Sequence, residues 1–236
     1  MGISKVYTQV ERVPAALCER AVQLSTADVH EAMGPNARSG LMTPRMRPLN
    51  RGLTIAGPAV TAVCAPGDNL MMHRALYLAQ RGDVLVVVTH AQSSGAQWGD
   101  VAAHYAAAKG LAGVVVQGCI RDTNTLENMR FPVWSTLISP ARPLKSGHGA
   151  VNTLVSCDGV LVHPGDLVIA DGDGVVVVAH GEAQTVIDAA FQRMARDEAA
   201  IRAVAEGAHP WHTSGAASAY AQLDVEEIDA PCPRGA

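Results

Sequence analysis

Residues 83–138 read DVLVVVTHAQSSGAQWGDVAAHYAAAKGLAGVVVQGCIRDTNTLENMRFPVWSTLI, and this stretch decides the fold. Asp83 to His90 is a β-branched run, the composition of a strand buried on both faces. Gly113 to Gly118 is a second such run, and Phe131 to Ile138 a third. Between them, Asp100 to Lys109 and the residues up to about Met129 carry helical patterns. Strand, helix, strand, helix, strand implies parallel neighbours joined by crossovers. The stretch therefore predicts an α/β protein with a central βαβ parallel segment.

The flanks extend this reading. On the N-terminal side, Arg12 to Leu24 has helical spacing, and Ser25-Thr26 before Asp28 and Glu31 predicts a capped restart. Residues 34–52, rich in Gly, Pro and Arg, read as a long loop. Leu53 to Cys64 reads as a strand, and Pro66-Gly67-Asp68-Asn69 as a turn into a helix ending near Gln80. After residue 150, short strands are expected at Val151–Ser156, Gly159–Val162, Leu167–Ala170 and Val175–Ala179. They predict an antiparallel β layer or a small barrel-like one. An Ala-rich helix follows from about Glu182 to Ala205. The expected organisation is mixed layers in one domain over residues 1–236. Residues 207–236 form a tail that reaches a neighbouring subunit.

Composition narrows the function. Lys and Arg total 18 against 22 Asp and Glu, a net charge of -4, so a broad basic surface for nucleic acid is not expected. Aromatic residues are only 4%, too few for stacking platforms. With 48% apolar and 17% charged residues the chain is a folded one. No apolar run approaches the ~20 residues that span a bilayer. Five cysteines without a C-x-x-C pair, and no leader pattern over Met1 to Val10, predict a cytoplasmic protein.

Ligands of open α/β sheets bind beyond the carboxyl ends of parallel strands. The loop after His90 and the loop after Gly118 should share one crevice there. The first carries Gly95-Ala96-Gln97-Trp98-Gly99 and then Asp100, which opens a helix. The second carries Arg121-Asp122, also at a helix start. Two carboxylates brought together need a counter-charge, and hard oxygen ligands suit Mg²⁺ or Mn²⁺. An Arg beside them clamps a carboxylate or a developing oxyanion. Asp100 and Asp122 read equally well as helix caps, and Arg121 as a solvated charge. His73, His148 and His163 are candidates for a polar substrate tail or structural hydrogen-bonders. His104 shares a helix face with Asp100. Arg45 and Arg47 are either distal carboxylate clamps or solvated. Asp171 to Gly174 reads as a hairpin turn rather than a Ca²⁺ loop. There is no phosphate loop and no dinucleotide fingerprint in context. None of Lys5, Lys109 and Lys145 sits in a recognisable Schiff-base setting.

Asp100 and Arg121-Asp122 stand 20 residues apart in a D-x20-R-D arrangement. With MTPRMRPL at 42–49, AGPAVT at 56–61, PGDNLMMH at 66–73 and HPGDLVIADGDGVVVV at 163–178, the chain resembles a known family. It is similar, from about Asp28 through Arg202, to the class II pyruvate aldolases that cleave 4-hydroxy-4-methyl-2-oxoglutarate and 4-carboxy-4-hydroxy-2-oxoadipate. They share a swivelling β/β/α fold with the bacterial regulator of ribonuclease E activity A, the RraA-like fold. The resemblance implies that Asp122 binds a divalent metal, Mg²⁺ or Mn²⁺, and that Asp100 holds a water of that metal. It implies that Arg121 contacts the pyruvyl oxygens and stabilises the enolate. The backbone amides of Gly95, Ala96, Gln97 and Trp98 would hold the pyruvate carboxylate. An acid from a neighbouring subunit's C-terminal helix, Asp197 or Glu198, would complete the site. Their other reading is helical pairing, Arg193 with Asp197 or Glu198 with Arg202. The implied protein is a homotrimer or homohexamer acting on small oxo acids in protocatechuate or gallate breakdown, with oxaloacetate decarboxylase activity. The regulator branch, which inhibits an RNA-degrading enzyme, typically lacks the carboxylate after the Arg; Asp122 is present here.

Overall fold

A computed structural model describes residues 4–91 and 94–232. The chain begins with β1 (Lys5–Val6), α1 (Ala15–Ala21), α2 (Thr26–Ala32), α3 (Ala37–Gly40), β2 (Arg47–Pro48), β3 (Ile55–Val63) and α4 (Leu70–Leu78). There follow β4 (Val84–Val88), β5 (Ala96–Trp98), α5 (Asp100–Lys109), β6 (Gly113–Ile120), α6 (Thr123–Met129) and β7 (Val133–Ile138). Next come β8 (Ala150–Val151), β9 (Val155–Cys157), β10 (Val160–Val162), β11 (Leu167–Ala170), β12 (Val175–Val178) and α7 (Ala183–Ala205). The last helices are α8 (Pro210–Thr213) and α9 (Ala216–Tyr220). The chain divides between Arg193 and Met194 into two compact units.

In the first unit β3, β4, β6 and β7 lie side by side and parallel, which extends the predicted βαβ segment by one strand. Every residue of β4 is buried, as an unbroken Val/Leu run requires of a central strand. Side chains on alternate positions of β6 feed two cores. Val114, Val116 and Ile120 pack with Trp98, Leu126 and Phe131 against the helices. Val115 packs with Trp134, Val155, Val168 and Val177 against the later strands. Those strands form the expected antiparallel layer: β11 pairs with β12, and β9 with β10. β11 also pairs antiparallel with Ile55–Pro58 of β3, which ties this layer to the parallel one.

Several local expectations are corrected. The loop expected over 34–52 contains α3 and β2, and Met42 donates its N–H to Val175 O. The strand expected over Val151–Ser156 is two strands, β8 and β9. Asn152 breaks it with a left-handed backbone at φ 53° and donates its Nδ2 to Tyr7 O. The turn at Asp171–Gly174 closes as predicted, with Asp171 N–H on Gly174 O, and the restart at Ser25 is capped by its side chain accepting from Asp28 N–H.

The second unit holds the end of α7 with α8 and α9. His209 Nδ1 accepts the Trp211 N–H and caps α8, and the Trp211 and Tyr220 rings meet edge to face at 5.1 Å.

Candidate active site

A bulge in β6 creates the site. β6 pairs with β4 as far as Gln117, and its register then shifts at Gly118, which has φ 157°. The last residues of β6, Cys119 and Ile120, pair instead with β5. The Gly-rich stretch expected as a loop therefore returns as a strand beside β6, where β4 has stopped. Trp98 O accepts the Arg121 N–H at 3.0 Å. This bond sets Gly99-Asp100 directly beside Arg121-Asp122.

The predicted cluster assembles there. Arg121 Nε lies 3.2 Å from Asp122 Oδ2, and the Asp100 N–H donates to the same oxygen at 3.3 Å. Asp100 Oδ1 accepts from Val101 N–H at 2.6 Å. Asp122 adopts a left-handed backbone, φ 58°, ahead of α6. That turn is tolerated by Asp because its short side chain bonds locally. The crowding at Gly99 is acute: a Cβ there would stand 2.6 Å from Asp122 Oδ2 and 3.2 Å from Arg121 Nε. Gly99 has φ -162°, ordinary extended backbone. Its lack of a side chain thus serves the neighbouring charges rather than the backbone.

A cavity of about 420 Å³ opens beside the cluster, with Asp100, Arg121, Trp98, Asn69, His73 and Arg142 among its walls. Two polar atoms in those walls are buried without a hydrogen-bond partner in the described residues, Trp98 Nε1 and Asn69 Oδ1. His73 is held below its ordinary pKa by burial and by the nearby Lys145 charge.

Of the four amides expected to hold a carboxylate, that of Ala96 is committed to Ala141 O at 3.0 Å. Gln97 is fully buried, and its side chain is structural. Its Nε2 donates to Gly95 O at 2.8 Å and its Oε1 accepts from Cys119 N–H at 2.9 Å, which braces β5 on the β6 bulge. Arg45 and Arg47 do not line this cavity. Arg45 pairs with the buried Asp158 at 2.7 Å beside a separate hollow that includes His90 and Thr136, and Arg47 donates to Asp173 O. His104 is exposed on α5, and His148 meets Ser4 Oγ at 3.2 Å. Asp197 and Glu198 lie on the part of α7 in the second unit, where Glu198 reaches Arg202 at 3.9 Å one turn on. Sequence reasoning missed Arg142 and Asn69 and discounted Lys145. All three are placed by long-range contacts that no local pattern announces.

The donor set suits a hard divalent cation. Asp100 and Asp122 each carry hard oxygen donors, the Asp100 N–H resting on Asp122 Oδ2, and Mg²⁺ keeps several of its waters while bound through one or two carboxylates.

A protein from Halalkalibacterium halodurans described as a putative 4-hydroxy-4-methyl-2-oxoglutarate aldolase is 38% identical over 165 residues, covering 70% of this chain and 79% of that one. A Streptomyces coelicolor structure, described as an unusual member of the RNase ES inhibitor RraA protein family, superposes with a TM-score of 0.73. It is 32% identical, over 81% of this chain and 98% of that one. The RNA-processing inhibitor RraA from Thermus thermophilis superposes with a TM-score of 0.58 at 29% identity, covering 65% of this chain and 92% of that one. Residues 26–177 match the family model described as Aldolase/RraA, and the chain belongs to this RraA-like family.

Proposed function

We propose that the protein is a divalent-metal-dependent aldolase of 4-hydroxy-2-oxo acids, yielding pyruvate. The carrying observation is the contact of Arg121 and the Asp100 backbone with one carboxylate oxygen of Asp122, beside a cavity lined by Asp100 and Arg121. The substrates proposed are 4-carboxy-4-hydroxy-2-oxoadipate and 4-hydroxy-4-methyl-2-oxoglutarate. Oxaloacetate decarboxylation is expected alongside, because loss of CO₂ leaves the same enolate. The proposed setting is protocatechuate or gallate breakdown.

Asp122 would hold Mg²⁺ or Mn²⁺, with Asp100 nearby. The chemistry such an ion supplies when bound is polarisation of the 2-oxo group. Arg121 binds the pyruvyl oxygens and stabilises negative charge as it develops on the 2-oxo oxygen. The C4 hydroxyl proton leaves through a water held by Asp100. The C3–C4 bond breaks, its electron pair passes to C3 to form the enolate of pyruvate, and C4 leaves as a carbonyl carbon. The enolate then takes a proton at C3.

The proposed assembly is a homotrimer or homohexamer, with Asp197 or Glu198 of a neighbouring copy at each site and residues 207–236 reaching that copy. Light scattering tests it, and an active monomer refutes it. A second reading is inhibition of an RNA-degrading enzyme, favoured by the descriptions of the Streptomyces and Thermus relatives. Pyruvate release, coupled to lactate dehydrogenase with and without Mg²⁺ and corrected for spontaneous decay, decides between them. Metal-dependent pyruvate formation supports the aldolase, and none from any 4-hydroxy-2-oxo acid or from oxaloacetate rejects it.

A further inference from the structure

The proposed reaction moves a proton from the C4 hydroxyl of the substrate to C3 of the enolate, so a group near Arg121 must carry it. The walls of the Arg121 cavity offer few that can. The guanidinium groups of Arg121 and Arg142 do not give up protons, and the Asn69 amide and Trp98 indole do not ionise. Asp100 is assigned to the water that takes the hydroxyl proton first. His73 and Lys145 remain in the same walls. Of the two, an imidazole is the group that gains and loses a proton near neutral pH.

His73 stands in the first turn of α4, its N–H on Asn69 O at 3.1 Å. The residue is half-buried and lines two hollows. One is the Arg121 cavity; the other, of about 330 Å³, is walled by Leu76, Tyr77, Val101, Ala102 and Tyr105. Among the described residues the His73 ring makes no hydrogen bond, so the structural hydrogen-bonding role open to it in the sequence is not filled. Lys145 is fixed close by. Leu144 N–H donates to Gly67 O at 2.8 Å, and Leu144 O accepts the Asn69 N–H at 3.0 Å. The buried Asp68 takes the N–H groups of Ser146 at 2.6 Å and Gly147 at 2.8 Å. Arg142 and Lys145 thus form a cationic wall tied to the turn that opens α4. Burial and Lys145 together favour the neutral ring against the pull of Asp68. A neutral imidazole is ready to accept a proton.

We infer that His73 is the proton carrier of the reaction: its ring takes the proton released from the C4 hydroxyl, through the water of Asp100, and gives it to C3 of the enolate. The electron pair of the C2–C3 double bond forms the new C3–H bond. The oxyanion becomes the 2-oxo group of pyruvate, and the imidazolium returns to the neutral ring. With oxaloacetate, which has no C4 hydroxyl, solvent water supplies the proton to the ring. The inference rests on the aldolase reading and replaces the contact with a polar substrate tail that sequence reasoning offered to His73.

Two reactions of the full-length enzyme with Mg²⁺ separate this step from the rest. Exchange of pyruvate methyl protons with D₂O, followed by NMR, needs a group that removes and returns a proton at C3. Release of CO₂ from oxaloacetate in a single turnover, with enzyme in excess, forms the same enolate before any proton moves. His73→Gln should slow the exchange on the order of 100-fold, the low end for a general acid–base group, and slow CO₂ release far less. His73→Asn should do the same. A merely structural histidine would lower both rates together. An exchange-to-CO₂ ratio that both substitutions leave unchanged overturns the inference and leaves the aldolase reading standing. A wild type that neither exchanges pyruvate protons nor releases pyruvate from oxaloacetate or a 4-hydroxy-2-oxo acid overturns both.

Discussion

Gly99 and Asp122 are packed so closely that a methyl group on Gly99 would stand 2.6 Å from Asp122 Oδ2. The extended backbone of Gly99 accepts any residue, so Gly99→Ala displaces the Asp122 carboxylate and the Arg121 guanidinium without straining the chain. Turnover should fall on the order of 100-fold, the cost of an ångström-scale misplacement. Stability should stay within about 1 kcal/mol of wild type. Steady-state pyruvate release and thermal unfolding on one preparation check both halves.

Asp122→Asn isolates charge from conformation, because Asn also accepts the left-handed backbone at this position. Mn²⁺ or Mg²⁺ affinity should weaken by roughly tenfold or more, a scale reached even by outer-shell partners of metal ligands. Calorimetric metal titration reads this directly. Unchanged affinity would reduce Asp122 to a partner of Arg121.

Arg121→Lys separates substrate binding from oxyanion stabilisation. If the guanidinium acts on the enolate, kcat falls about 100- to 1,000-fold, the usual loss for one such donor. If it holds only the ground state, KM rises and kcat is spared. The first outcome is expected for aldol cleavage and for oxaloacetate decarboxylation, since both pass through one enolate.

His73 gives a pH prediction. Burial, and then the like charge of Lys145, hold its pKa below the ordinary 6.5. Lys145→Met removes the second cause, so the His73 pKa should rise in an NMR titration. The sign for stability follows from proton uptake. Above pH 6.5 the contribution of His73 is fully present. As pH falls towards the lowered folded value, the unfolded chain binds a proton that folded His73 refuses, and stability is lost. The slope of that loss should be smaller in Lys145→Met.

Away from the site, Asp83 is fully buried and bound at two points by Arg12, Nε to Oδ1 at 2.8 Å and Nη2 to Oδ2 at 2.9 Å. Arg12→Met leaves that carboxylate without its cation. The cost should be about 3 kcal/mol, the low end for a buried pair because Arg12 keeps some contact with water. Urea unfolding measures it, and Asp83→Asn in the same chain should recover part of the loss.

The parallel strands were legible because β4 and β6 are Val-rich runs between turn signals, and burial on both faces demands that composition. Arg121-Asp122 was legible because it follows β6 directly, and Asp100 because it opens the helical pattern before that strand. The return of 96–98 as β5 was not, since Gly95-Ala96-Gln97 has no strand pattern and its pairing depends on a bulge 20 residues later. The cationic wall was hidden for a similar reason. Arg142 and Lys145 owe their position to Asp68, more than 70 residues earlier in the chain, whose role is to accept backbone N–H groups.

The pairing of β3 bears on how the first unit comes apart. Its nine residues bond to β4, β8 and β11, so one strand belongs to both layers. A chain cut after β7 would leave residues 55–58 without their ladder and β11 without its template. The layers should therefore melt together in one transition, and fragments divided at that boundary should regain structure only when mixed.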